Sequence, residues 1–290
     1  MKILVGQGPG GPSDIMARLV ARELGERLDQ AVVVENHPGA AGVVALRLLA
    51  RAAADGYTLM ASSNAAFGAA VIAPDTADLD PQRAFAPVGR FARGGYVFVV
   101  RAALGVASLD GFIAAVRRRG EPVAVSTVGA GSNSARALAL LGRATGIPIL
   151  DVPYNGGALA LHAAVSGHVD ANFIELGLAV PVAASGALRI LAAASRHRLA
   201  LAPDVPTFAE LGYPAVVTDS WYGMFAPAAT PTDVIARLVS TLHSTVADPD
   251  VRRQFVTLGC EPIVETPEEF AVAILQEIEQ VRSLAAPVVR

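Results

Sequence analysis

The sequence has little of the chemistry that holds metals or crosslinks chains. Its 290 residues include a single cysteine, Cys260, so no internal disulfide can form. None of the five histidines has the spacing of a zinc motif such as HExxH. The closest pair, His162 and His168, would lie on different faces of a helix. We therefore expect no metal site and no cofactor.

Charged and aromatic side chains are also scarce. They make up 17% and 6% of the chain, and the net charge of −3 provides no positive field that would attract a nucleic acid. The basic cluster at residues 117–119 lies at the end of a predicted helix, where cations favour the helix dipole. We expect no nucleic-acid partner.

Long apolar segments are absent as well. No stretch of 18 or more apolar residues lacks charge, glycine and proline, so we predict no membrane-spanning helix. Met1 and Lys2 lead directly into Ile3-Leu4-Val5, which predicts a first strand rather than a signal peptide. A secreted protein loses its leader, so the chain fits a mature or trimmed form.

What the sequence does have is short apolar runs that alternate with amphipathic helix patterns. This alternation predicts an α/β fold, with parallel strands covered by helices on both faces. The runs predict strands at residues 2–6, 31–35, 57–62, 96–102, 122–127, 149–154, 169–174, 188–194, 222–228 and 261–265. The patterns predict helices over 13–28, 42–54, 108–119, 132–146, 157–167, 177–186, 231–247, 249–258 and 267–285.

Ten strands are many for one open sheet, so we predict two lobes. The first takes residues 1–99 plus 222–290, and the second takes residues 100–221. Two segments are predicted to be connections rather than helices or strands: 74–95, which is rich in proline, aspartate and glycine, and 195–221, which contains Pro203, Pro206 and Pro214.

The first predicted strand leads through a run of glycine and proline, residues 6–12, directly into a helix. Free N–H groups and the positive dipole end favour an anion at such a helix start, and glycine lets a ligand approach the backbone. Ser13 or Asp14 can cap this helix, and a ligand would lie over the Gly10 and Gly11 amides. No GK[ST] follows, so this is not a Walker A loop. The alternative is a plain turn without a ligand.

Two further predicted strands lead into small polar residues, at 61–64 (ASSN) and 126–135 (STVGAGSNSA). Ligands of open α/β sheets bind outside the carboxyl ends of the strands. Three such loops on two facing lobes would line a cleft with N–H and O–H donors, which suits a carboxylate. Three ordinary turns remain the alternative.

Catalytic motifs are weak by comparison. No GxSxG nucleophile motif occurs, and Ser62 and Ser63 have no adjacent base. Asp151, Asp170 and Glu175 lie at predicted strand ends but form no recognisable pair. We therefore do not expect an enzyme.

A set of motifs, taken together, resembles the tripartite tricarboxylate transporter receptors, also called Bug-type extracytoplasmic solute-binding proteins. The resemblance covers nearly the whole chain, and none of the three loops contains Arg or Lys before its helix. The motifs are, in order, GPGGPSDIMARLVARELGERL, VVVENHPGAAG, AADGYTL, VGAGSNSARALA, VPYNGGALALHAAVSGHVDANF, APDVPTFAELGYP and WYGMFAPAATP.

The resemblance implies a two-lobed, periplasmic-binding-protein-like fold of type II, a Venus flytrap. Its lobes would close on a small carboxylate-bearing ligand, held mainly by loop amides and bridging waters, and pass it to a membrane permease. Matched by motif, the implied ligand-binding residues are Gly10, Gly11, Pro12, Ser13, Asp14, Ser62, Ser63, Asn64, Gly131, Ser132, Asn133, Ser134 and Tyr154.

Other positions carry weaker implications. Glu175 lies where family members often have an acid that faces the far end of the ligand. Trp221 and Tyr222 would either border the cleft or pack in the core at the lobe junction. The chain departs from the family at Gln7, which is commonly aromatic, and at Ala135, which is commonly histidine, so its ligand could differ from the common ones.

The leading hypothesis is a periplasmic receptor, expected to be monomeric, whose partners are a small carboxylate and the permease subunits of a tripartite transporter. A ligand-sensing regulatory module on the same scaffold, without transport, is the alternative. A third hypothesis is an enzyme that uses Glu175 or Asp170 as a base.

Overall fold

The protein is described here by a computed structural model that covers residues 1–72, 79–154 and 156–285. The chain divides into two compact units. Unit 1 takes the described residues of 1–93, 221–256 and 261–290, and unit 2 takes those of 94–220 and 257–260. The sequence placed the corresponding crossings after residues 99 and 221.

Strands and helices alternate through most of the chain. The strands are β1 Lys2–Val5, β2 Val33–Asn36, β3 Thr58–Ser63, β4 Phe85–Arg101, β5 Val123–Thr127, β6 Ile149–Pro153, β7 Ala171–Glu175, β8 Leu188–Ala193, β9 Asp219–Pro227 and β10 Cys260–Pro262. The helices are α1 Pro12–Leu28, α2 Val43–Ala50, α3 Asn64–Ile72, α4 Pro81–Ala84, α5 Leu109–Arg119, α6 Asn133–Thr145, α7 Gly157–Val165, α8 Leu176–Ala184, α9 Thr232–Ala247, α10 Pro249–Thr257 and α11 Pro267–Ala285.

In unit 1, β1 lies between β2 and β3 and is parallel to both, while β9 is antiparallel to β3. Val5 is opposite Ala61, so the turn that follows β1 and the start of α3 after β3 lie at the same edge of the sheet. Helix α1 packs through Met16, Val20 and Leu24, whose spacing of four residues forms one buried stripe.

The aromatic core of unit 1 brings together α3, β9 and α11. The Trp221 and Phe270 rings meet edge to face at 5.0 Å between centroids, and Phe67 lies 4.7 Å from Phe225. Such contacts contribute about 0.5–1.5 kcal/mol per pair beyond the burial of apolar area. The C-terminal helix is therefore part of the core of unit 1.

In unit 2, β5 is parallel to β6 and β7, and β7 is antiparallel to the second half of β4. Successive residues of β4 point to opposite faces of the sheet. Phe98 joins an aromatic cluster with Phe112 and Phe173, whereas Val97 and Val99 pack in a separate cluster on the other face. Helices therefore cover both faces, as the apolar strands predicted.

The predicted connection at 74–95 is wrong from residue 81 onward, while residues 73–78 lie outside the described part of the chain. Helix α4 begins at Pro81, and β4 begins at Phe85, eleven residues before the predicted strand. Glycines within β4 misled the prediction, because a glycine inside a strand also marks a close approach. A Cβ at Gly95 would lie 2.4 Å from the Leu199 side chain, and one at Gly89 would lie 3.2 Å from the Glu265 carbonyl oxygen.

The other predicted connection, 195–221, contains no helix and reaches a strand only at Asp219. Within the described ranges, no helix is both long and apolar enough to cross a membrane.

Candidate functional site

Turn A, residues 6–14, joins β1 to α1 in unit 1. The helix begins at Pro12 after Gly11 as the N-cap residue, and no side chain caps it. The predicted cap from Ser13 or Asp14 is therefore wrong, because proline suits the first helical position and starts the helix before both residues. The Asp14 carboxylate instead turns back and accepts the Gly10 N–H at 2.9 Å.

Asp14 is the centre of a polar network in turn A. Only 3% of it is exposed, and its carboxylate also accepts from Arg18 Nη2 and from Asn36 Nδ2, each at 2.9 Å. Asn36 in turn donates to the Gln7 carbonyl oxygen at 3.0 Å. Burial alone would raise the pKa of Asp14, but hydrogen bonds from Arg18, Gly10 and Asn36 together with the Arg18 charge hold it below its usual value. Asp14 thus holds the turn as a buried carboxylate.

The Asp14 network leaves the Gly11 amide of turn A open. The Gly11 N–H finds no acceptor among the described residues, and a Cβ added at Gly11 would meet only the Gly8 carbonyl oxygen, at 4.0 Å. Gly10 has φ +86°, a conformation that favours glycine. Of the two predicted amides, Gly10 is used internally and Gly11 is available to a ligand.

The polar residues at the end of β3 and the start of α3 lie beside turn A but are deeply buried. Ser62, Ser63 and Asn64 are exposed by 1%, 7% and 1%. The Ser62 hydroxyl donates to the Ser63 carbonyl oxygen at 3.3 Å, and Asn64 Nδ2 donates to Glu277 Oε1 of α11 at 2.8 Å. These side chains therefore serve the interior of unit 1 at least as much as its edge.

Turn B, residues 128–134, joins β5 to α6 in unit 2. The Ser132 hydroxyl caps the helix by accepting the Ala135 N–H at 3.2 Å, and it donates to the Gly129 carbonyl oxygen at 2.6 Å. The Ser134 hydroxyl accepts the Val128 N–H at 3.0 Å. Neutral hydroxyl groups thus fill the role that Asp14 has in turn A.

Turn B also leaves backbone amides open. In the described ranges, no acceptor faces the N–H groups of Ala130 and Gly131. Gly129 and Gly131 have φ of +92° and +80°, which bends the backbone toward the helix start. Each unit therefore offers uncharged, unpaired N–H groups at the N-terminal end of a helix.

The remaining predicted residues of unit 2 lie at the same sheet edge as turn B. The half-buried Tyr154 follows β6, and its N–H donates to the Thr127 carbonyl oxygen at 2.9 Å. Glu175 ends β7, where it is opposite Tyr96 of β4. The structure thus brings Tyr154 and Glu175 to the strand ends around turn B.

Sequence reasoning missed two residues beside turn B. The Tyr96 hydroxyl hydrogen-bonds the Asn133 side chain, and burial together with the nearby Glu175 carboxylate raises the pKa of Tyr96 well above its usual value. Arg136 donates from Nε and Nη2 to the Thr218 hydroxyl, at 3.1 and 2.8 Å. Tyr96 resembled any other core residue of an apolar strand, whereas Arg136 could have been found as the first cation after turn B.

Trp221 and Tyr222 are core residues of unit 1, exposed by 3% and 2%. The Trp221 indole N–H donates to Glu277 Oε2 at 2.6 Å. Near turn A, the Gln7 side-chain oxygen is buried and has no hydrogen-bond partner in the part of the chain that the structure describes. Ala135 is half-buried in the first turn of α6. Gln7 is therefore the departure from the family pattern with an unmet hydrogen-bonding need.

Turns A and B offer N–H and O–H groups as hydrogen-bond donors. Across the described residues, no group of three His, Cys, Asp or Glu side chains is placed to hold a metal ion. Burial raises the pKa of the Cys260 thiol, with a smaller contribution from Glu175, so Cys260 is a protonated core residue rather than a thiolate.

Known proteins resemble this chain over almost its full length. The family model for the tripartite tricarboxylate transporter family receptor matches residues 16–286. Protein BugT of Bordetella pertussis is 33% identical over 281 residues, which cover 97% of this chain and 86% of BugT.

Two solved structures from Rhodopseudomonas palustris share the fold. MatC, solved with bound malate, has a TM-score of 0.86 and 29% identity, and the match covers 99% of this chain and 98% of MatC. A second protein, solved with adipate, has a TM-score of 0.87 and 29% identity, with 98% and 96% covered. These likenesses confirm the predicted two-lobed α/β fold of the periplasmic-binding-protein class.

Proposed function

This chain belongs to the tripartite tricarboxylate transporter receptor family, and we propose that it binds a small carboxylate as a solute receptor. The family is one of solute-binding receptors rather than enzymes. Two relatives of similar fold were solved with the dicarboxylates malate and adipate. A carboxylate of that size is therefore the ligand class that we assign to this chain.

The observation that carries the proposal is the set of unpaired amides at Gly11, Ala130 and Gly131. All three precede a helix that starts at the carboxyl end of a strand, where the helix dipole favours an anion. A hydrogen bond from a backbone N–H to a carboxylate contributes about 1.5–3 kcal/mol. Neutral donors of this kind suit reversible capture, because they bind an anion without placing a cation beside it.

The finer part of the proposal is that one ligand is held in a cleft between the two units. The family resemblance implies this arrangement, with Gly10–Asp14 and Ser62–Asn64 on one side and Gly131–Ser134, Tyr154 and Glu175 on the other. Closure of the units around the ligand would exclude water and strengthen each hydrogen bond.

A ligand screen on protein stripped of bound solute tests the proposal. Malate, adipate and an aromatic carboxylate are added one at a time while the melting temperature is followed. Because a ligand that binds only the folded state raises that temperature, at least one carboxylate should shift it. A broad carboxylate screen without any shift would contradict the proposal.

A substitution at Gly11 then tests the assigned amide. Gly11 has φ −81°, and its Cβ position is open, so Gly11→Ala should fold normally. The methyl group would cover the N–H and raise the dissociation constant about tenfold, the equivalent of one hydrogen bond. Gly142→Ala in α6, where a Cβ would meet only Ile149 at 3.5 Å, is the matched control and should bind normally.

Family membership also supports an extracytoplasmic location and a membrane permease as the partner that receives the ligand. We propose that the receptor is a monomer of 29.8 kDa. Fractionation of cells that express the native gene should recover it outside the cytoplasm, and light scattering should give the monomer mass. Recovery in the cytoplasm would favour a sensing module instead.

A further inference from the structure

One carboxylate in unit 1 connects two residues that are far apart in the sequence. Glu277 of α11 accepts Asn64 Nδ2 on Oε1 at 2.8 Å and the Trp221 indole N–H on Oε2 at 2.6 Å. Asn64 and Trp221 are almost fully buried, and Glu277 is half-buried. Glu277 therefore uses one carboxylate oxygen to bind α3, through Asn64, and the other to bind β9, through Trp221.

The first arm of the bridge ends in the candidate site. Asn64 follows Ser62 and Ser63 directly and begins α3. The final torsion of an asparagine side chain has a broad, roughly two-fold preference, so the amide needs a partner to hold one orientation. A hydrogen bond to an ionised carboxylate is about twice as strong as one between neutral groups, so Glu277 holds the Asn64 amide firmly.

The second arm ends on the only tryptophan of the chain. The Trp221 ring is held edge to face by Phe270 at 5.0 Å and by Phe67 at 5.5 Å, so it cannot easily reorient. In a low-dielectric interior, hydrogen bonds that share a group polarise one another. A change in the bond from Asn64 to Glu277 therefore changes the electric field at the indole.

We propose that Glu277 is a positioning residue for the ligand-binding segment 62–64 and that it makes Trp221 a reporter of ligand binding. This inference rests on the proposed function, because it requires a carboxylate ligand that contacts the segment. The ligand displaces the Asn64 amide slightly, and this changes the hydrogen bond between Asn64 and Glu277. The changed charge distribution of the Glu277 carboxylate alters its hydrogen bond with the Trp221 indole N–H and therefore the tryptophan signal.

The test compares wild-type protein with Glu277→Gln and with the control Glu279→Gln, an exposed acid on the same helix. Malate and adipate are titrated as probes, with affinity measured by calorimetry and tryptophan emission recorded in parallel. Wild type and Glu279→Gln should bind equally and show the same emission change. Glu277→Gln should bind about tenfold more weakly and lose most of that change. The inference would be overturned if the Glu277→Gln variant is less stable but binds with the affinity of wild type and shows the same change in tryptophan emission on binding.

A measurement on wild-type protein covers the case in which Glu277→Gln does not fold. The chain has one tryptophan, so a ¹⁵N-labelled sample gives a single indole N–H signal. Ligand saturation should shift that signal. A ligand that binds while the signal stays in place overturns this inference alone, whereas the absence of binding by any carboxylate overturns the proposed function as well.

Discussion

Turn A and turn B both join a strand to the helix that follows it, in units 1 and 2. Different side chains form the hydrogen bonds that hold the backbone of each turn. Turn A has no side-chain helix cap and relies on Asp14, whose carboxylate accepts from Gly10, Arg18 and Asn36. Turn B is closed by the neutral hydroxyls of Ser132 and Ser134. Both nevertheless end with unpaired amides before a helix.

The difference shows that a turn can present an unpaired backbone N–H group whether its backbone is held by a charged carboxylate or by neutral hydroxyl groups. The two supports should respond differently to mutation and to pH. The Asp14 carboxylate is charged and balances the Arg18 guanidinium, whereas the Ser132 and Ser134 hydroxyls are neutral and do not titrate. Four predictions test this contrast, in order of decreasing effect.

Asp14→Ala should produce the largest loss. It leaves the Gly10 N–H and the Asn36 amide without their acceptor and Arg18 without its counter-charge, which should cost about 3 kcal/mol of the free energy of unfolding. Urea denaturation followed by circular dichroism measures it. Glu26→Ala, an exposed acid on the same helix, is the control and should change stability by no more than about 0.5 kcal/mol. Equal effects of the two variants would contradict the role of Asp14.

Low pH should reduce the contribution of the Asp14 carboxylate to the free energy of unfolding. Because the folded-state pKa of Asp14 is below its usual 3.8, its charge stabilises the fold fully above that value, and this stabilisation is lost as the pH falls through the folded-state pKa. The stability gap between wild type and Asp14→Asn should therefore stay constant from pH 7 down to about pH 4 and shrink below that pH. The gap for Ser134→Ala should stay constant, since a hydroxyl does not titrate there. A constant gap for Asp14→Asn would be inconsistent with the charged support.

Ser132→Ala should have a smaller effect, because it removes one helix cap from turn B. Loss of a serine cap typically costs about 1 kcal/mol. The same denaturation assay applies, with Ser244→Ala on the exposed face of α9 as a control. That serine bonds only the Ser240 carbonyl oxygen of its own helix, so its replacement should be neutral or slightly stabilising. A loss at Ser132 as large as that at Asp14 would remove the contrast between the turns.

Gln7→Met should have the smallest effect, and it should be a gain. The buried Gln7 oxygen has no partner in the described residues, and methionine has a similar length without a polar atom. Removing this unsatisfied buried oxygen should raise the free energy of unfolding by up to about 1 kcal/mol. A clear loss of stability would mean that the Gln7 amide is satisfied by ordered water.

Much of the fold could be predicted from the sequence because local patterns specify it. Helix α11 spans the predicted residues 267–285, and α1 starts within one residue of its prediction. Strand β4 was the main failure, since its glycines are required by close contacts with Leu199 and Glu265. Those contacts come from residues far along the chain, which no local pattern reveals.

The candidate site was predictable only in part. The glycine turns and their place before helices were evident, and the structure keeps Gly11 and Gly131 open. The capping role given to Ser13 or Asp14 was wrong, and Tyr96 and Arg136 were missed. Sequence spacing could place a polar residue at a strand end, but it could not tell whether its hydrogen bonds were already used.

By itself, the sequence determined the alternation of strands with most of the helices, the family, and the two glycine turns, because periodicity and motifs are properties of neighbouring residues. Helices α3 and α4 were not predicted. Only the tertiary structure decided which donors are used and which are open. Asp14 meets Asn36 across 22 residues, and Asn64 meets Glu277 across 213. Hydrogen bonds depend on distances in space, and packing alone brings such partners within reach of each other.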